Sequence, residues 1–163
     1  MDRFKYSQTG FTVMETLLAA FILVFVVGCA AIVYLMSVTT WKEASAQISL
    51  QREASAAMEK MVRGVDGTDG IREAGNVIIG SGIITYTSGI DSGQRKFYLS
   101  DGKIMYDPDT TTPDDEFSIA QNVRASGLTF SNGNIITIDL GMSKQVIDKN
   151  IDVDLTTKVN LRN

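Results

Sequence analysis

Every residue from Leu17 to Met36 is apolar or glycine, and no charge appears between Glu15 and Lys42. At ~1.5 Å of rise per residue, about 20 helical residues span the ~30 Å hydrocarbon core of a bilayer. A chain with such a run is not a plain cytosolic globule. The run also exceeds the ~7–15-residue apolar core of a cleavable secretory signal.

The helical pattern does not stop at Met36. Leu50, Ala54, Ala57, Met58 and Met61 recur at helical spacing and form one apolar stripe. Lys42, Glu43, Arg52, Glu53, Glu59, Lys60 and Arg63 fill the other faces. No Pro or Gly interrupts residues 29–63, and Gly64 is placed to cap the end. The pattern predicts one helix from Thr12 to Arg63. Its first half is apolar all round. Its second half is amphipathic, with the stripe read as a core face.

Residues 64–163 supply the surface that this stripe needs. They are punctuated by glycine and rich in Ile, Val, Thr and Tyr. Strands are predicted at Asn76–Ile79, Gly82–Thr87, Arg95–Ser100, Lys103–Tyr106, Gly127–Phe130, Ile135–Leu140 and Ile151–Leu161. Asp101-Gly102 and Ser131-Asn132-Gly133-Asn134 are hairpin signals. An antiparallel sheet with one wet face, packed on the helix stripe, gives an α+β fold. The segment Asp107–Glu116 holds both prolines and reads as an exposed acidic loop. Its carboxylates are hard ligands suited to Ca²⁺, but the glycine and spacing of an EF-hand are missing.

Composition removes several function classes. Histidine is absent, which excludes His-dependent triads, the commonest general base and His-liganded metal sites. No spacing points to another catalytic group, and no cofactor is expected. The net charge is −4, and no basic cluster marks a nucleic-acid face, so no direct nucleic-acid partner is expected. The single Cys29 lies inside the apolar run, where it forms no intrachain disulfide and reads as a small packed hydrophobe.

The chemistry concentrates at the front of the helix. Residues 1–10 (MDRFKYSQTG) are polar, carry Arg3 and Lys5 and end in Gly10. Phe11-Thr12-Val13-Met14-Glu15 follow, and then the apolar run. A carboxylate at the start of a membrane helix is costly and calls for a partner. This segment resembles the class III signal of type IV pilins and type II secretion pseudopilins: a short basic leader, Gly, Phe, and Glu five residues into the mature chain. Met14 departs mildly from the usual Ile or Leu. The segment Ala120–Phe130 and the ending Lys158–Asn163 resemble regions of J-type minor pseudopilins. Two departures from major pilins stand out: no C-terminal cysteine pair and no proline in the apolar run.

The resemblance implies a pilin-like fold, with a long N-terminal helix packed on an antiparallel sheet, and a structural, non-enzymatic role. Residues 1–10 would be a leader, 11–36 the membrane and filament-core half of the helix, 37–63 its amphipathic half, and 64–163 the head. A prepilin peptidase would cut after Gly10 and N-methylate Phe11. The chain would sit in membrane lipid as a single-pass inner-membrane protein, head outside the cytoplasm. An inner-membrane assembly platform would then deliver it into a filament with other pilin or pseudopilin subunits. Glu15 would be the assembly residue, meeting the new positive amine of a neighbour and fixing axial register, since buried charges are costly unless paired.

Two other readings use the same residues. An uncleaved single-pass anchor carrying a binding domain needs the same span and head. A lipoprotein would be modified at Cys29, because Val26-Val27-Gly28-Cys29 resembles a lipobox. Against that, the residues after Cys29 are apolar, and Glu15 interrupts the path from the basic flank. Trp41, just beyond the run, suits an interfacial anchor or a subunit contact.

Overall fold

A helix, α1, fills Val13–Arg63, and among the described residues it is followed by strands, turns and a short 3₁₀ turn at Ile71–Glu73. The computed structural model describes residues 12–131 and 135–162. The chain divides into two compact units, the first ending at Lys42 and the second being Glu43–Asn163. In the first unit the apolar helix stands exposed along its described length, from Val13 and Met14 to Leu35 and Met36. Where the apolar run ends, Thr39 and Thr40 both donate their hydroxyls to the Met36 carbonyl, at 2.8 and 2.9 Å. That back-bonding keeps two polar groups satisfied within the helix itself.

The second unit has the predicted α+β architecture. Ala46, Leu50, Ala54, Ala57, Met58 and Met61 are the buried positions of α1. All but Ala46 join one apolar cluster with Ile84, Phe97, Ile104, Leu128, Ile138 and Met142 from the strands. Gly64 ends the helix at φ +104°, a conformation that costs glycine little, and its N–H donates to the Lys60 carbonyl at 2.9 Å.

Among the described residues eight strands form two antiparallel meanders rather than the single sheet the sequence suggested. Strands β1 (Asn76–Gly80), β2 (Ile83–Thr87), β3 (Gln94–Ser100), β4 (Lys103–Asp107) and β5 (Phe117–Ala120) pair in order. Strands β6 (Val123–Ser131), β7 (Ile136–Val146) and β8 (Lys149–Val159) make the other sheet. The Val123 N–H donates to the Gly102 carbonyl at 2.9 Å and so ties β6 to the β3–β4 turn. That turn is the predicted Asp101-Gly102, with φ +47° and +70°, as a two-residue hairpin needs. Across the first sheet an aromatic ladder runs Tyr86–Phe97–Tyr106–Phe117, with ring centroids 5.8, 4.6 and 5.5 Å apart. Each contact adds directional packing to the buried area.

Several elements differ from expectation: β5 is an additional strand, β6 begins at Val123 rather than Gly127, and β8 covers Lys149–Val159 rather than Ile151–Leu161. Strand β5 is short and follows the acidic loop directly, so its pattern is too brief to read. Strand β7 continues through Gly141 to Val146 instead of stopping at Leu140. A side chain at Gly141 would run into the Arg124 guanidinium, which pairs with Asp154; glycine here makes room and does not break the strand. The β7–β8 turn is Ile147-Asp148, with Ile147 at φ +57°, a backbone that β-branched residues rarely adopt. Asp148 is the one turn-favouring residue in it. Of the second predicted hairpin, residues 132–134 lie outside the described residues, while the flanking strands pair Ser131 with Thr137.

A buried polar cluster fixes the connection from helix to sheet. Asp69 and Arg95 form an ion pair almost wholly removed from solvent. The Asp69 carboxylate also accepts the Gly89 N–H at 2.8 Å, and its carbonyl accepts the Tyr86 hydroxyl at 2.9 Å. Arg95 reaches Asp91 at 2.7 Å. On the helix, Glu53 accepts the Gln121 N–H at 2.7 Å and Glu43 meets Lys149 at 2.9 Å.

Candidate functional site

Glu15 is the one charged residue between Thr12 and Trp41, and the helix start is built around it. Thr12 precedes α1 in the N-cap position. Its Oγ1 accepts the Glu15 N–H at 3.3 Å. In return Glu15 Oε2 accepts the Thr12 N–H at 2.9 Å and the Thr12 hydroxyl at 3.1 Å. This is a reciprocal capping box, which satisfies donors that a helix start otherwise leaves bare. The carboxylate also lies at the positive end of the helix dipole. Among the described residues, both of these bonds fall on Oε2 and none on Oε1.

The sequence reading singled out Glu15 and passed over Thr12. The signal was present: Thr12-Val13-Met14-Glu15 is a Thr-x-x-Glu box just ahead of an apolar run. Gly10 and Phe11, the predicted processing pair, lie outside the described residues. Near its start α1 holds an 18-residue apolar stretch suited by length and composition to crossing a membrane, and none of that stretch is buried within the chain. Cys29 is exposed in the helix interior, with α1 continuing past it to Arg63.

The acidic loop after β4 uses its carboxylates locally. Asp107 is buried and pairs with Lys96 at 3.1 Å. Asp109 accepts from the Thr111 N–H and hydroxyl at 3.0 and 2.6 Å, and from the Thr112 hydroxyl at 3.0 Å. These bonds hold its carboxyl below the usual range. Glu116 accepts the Tyr98 hydroxyl at 2.7 Å, and that bond is the main cause that pushes Tyr98 up to about 12. Among the described residues no group of three or more Cys, Asp or Glu is arranged to hold a metal ion.

No family model matches the chain, and no curated protein or solved structure matches it. The first turn therefore has to be interpreted from its own chemistry: a lone capped carboxylate leading an exposed apolar helix whose second half is built into an antiparallel head.

Proposed function

We propose that the protein is a structural subunit, a minor pilin or pseudopilin, that is processed by a prepilin peptidase and assembles into a filament. Cleavage after Gly10 exposes Phe11 as a positive amine. Glu15 of one subunit pairs with that amine on the next, and the apolar helices pack around the pair. The head remains outside the cytoplasm, and no reaction is catalysed.

The observation that carries this reading is the state of Glu15. Its Oε2 is committed to Thr12, while Oε1 takes no bond from the described residues. One oxygen caps its own helix and the other is left to accept a neighbour's ammonium. A helix apolar all round, with no protein surface covering it, suits lipid first and neighbouring helices afterwards.

The same capping box also supports a second reading. A carboxylate already satisfied by its own chain can sit at the headgroup level without any partner, as in an uncleaved single-pass anchor. Glu15→Ala separates the two. In a filament subunit it leaves membrane insertion intact and reduces incorporation into sheared filaments about tenfold or more, the loss of one buried charge pairing. Incorporation equal to wild type removes the charge-pairing reading.

A further inference from the structure

A second charged feature stands apart from the helix start. Where β8 ends, the backbone turns back so that the Arg162 N–H donates to the Arg72 carbonyl at 2.9 Å. That bond brings the chain after β8 against the short turn at Ile71–Glu73. The result is a pocket of about 290 Å³ lined by Val62, Val159 and Leu161 together with Arg72, Lys158, Asn160 and Arg162. All three cations are exposed. Among the described residues no carboxylate lines the pocket, and none of the three cations forms an ion pair. The C-terminal end of α1 is close by at Val62, but a helix end carries only about half a negative charge. It offsets only part of the three positive charges that line the pocket, in a chain whose net charge is −4.

The opposite imbalance lies in the loop between β4 and β5. Asp114 and Glu116 are exposed there, and Asp114 sits at φ +67°. One oxygen of Asp115 is buried with no hydrogen-bond partner among the described residues. Burial first, then repulsion from Asp107, Asp109 and Glu116, pushes Asp115 above the usual carboxylate range. Lys96 is already committed to Asp107, so the loop has more acid than its own chain neutralises.

We infer that the Arg72–Lys158–Arg162 pocket receives the acidic loop, residues 114–116, of a second copy of this chain. Each copy offers one pocket and one loop, so the contact is heterologous and propagates head to tail. Exposed ion pairs are individually weak. The contact therefore sets orientation and partner choice more than affinity, and anchorage in one membrane supplies the local concentration. The inference does not depend on cleavage at Gly10.

The test is disulfide trapping in membranes, in the full chain carrying Cys29→Ser. Cysteines are placed at Asn160 and Thr112, with Ile78 and Thr112 as the control pair. The Asn160–Thr112 pair is expected to give crosslinked dimers and higher multimers well above the control. The yield falls several-fold between about 0.1 M and 1 M salt, as the screening length contracts from ~10 Å to ~3 Å. Arg72→Glu with Arg162→Glu abolishes the crosslink, and adding Asp114→Lys with Glu116→Lys restores it. The restored yield also shows that the reversed chains fold. A yield no higher than the control, charge reversal without effect, or failure of the combined variant to recover overturns the inference. So does a photo-crosslinker at Asn160 that captures anionic phospholipid in place of protein.

Discussion

The two halves of α1 are one continuous helix written for two solvents. Residues 13–36 present Leu, Val, Ile and Phe on every face, and all the large ones stand exposed. Residues 46–61 bury one stripe so completely that Ala54, Ala57 and Met61 show no exposed surface. Both halves are helical, so backbone propensity does not distinguish them. The difference is where the apolar surface goes: the second half packs it within its own chain, and the first leaves it exposed on a stretch long and apolar enough to cross a membrane. Burial in the head and exposure of an apolar span are therefore separable properties of a single element.

The largest effect is expected in the buried pair behind the second half. Asp69→Ala strips Arg95 of its main partner and costs the head about 3–5 kcal/mol, toward the lower end because Asp91 stays 2.7 Å away. Urea unfolding followed by Tyr fluorescence, from Tyr86 and Tyr106 in the head core, measures it. Next comes the helix itself. Leu50→Ala, at a position only 1% exposed, costs about 2–5 kcal/mol in the same assay. Leu23→Ala, in the exposed half, leaves head unfolding unchanged. Equal losses at the two sites would break the comparison. The smallest effect is at the first turn. Thr12→Ala removes the bond to the Glu15 amide and speeds its hydrogen exchange by about fivefold, while exchange in the second half of α1 stays as it was.

Much of this was legible in the sequence because periodicity and caps are local. The helix limits, the Leu50–Met61 stripe, the Gly64 stop and the Asp101-Gly102 turn all follow from residues close together in the chain. Features that depend on distant partners were not legible. Arg95 meets Asp69 across 26 positions. Gly141 looks like a strand breaker until Arg124 is seen to lie across it. In the Ile147-Asp148 turn, Ile147 breaks the usual residue preference and Asp148 alone is a weak signal. At the candidate site, Glu15 stood out as a charge in the wrong solvent. Its capping partner needed only a three-residue offset to be found, yet a Thr beside an apolar run draws no attention by itself.

The processing step itself is read most directly from the mass of the N-terminal peptide of protein extracted from membranes of cells with an active prepilin peptidase. A filament subunit gives a peptide beginning at N-methylated Phe11, and Gly10→Ala abolishes it. A peptide beginning at Met1, or a lipid-modified Cys29 at the start of the mature chain, contradicts the proposal.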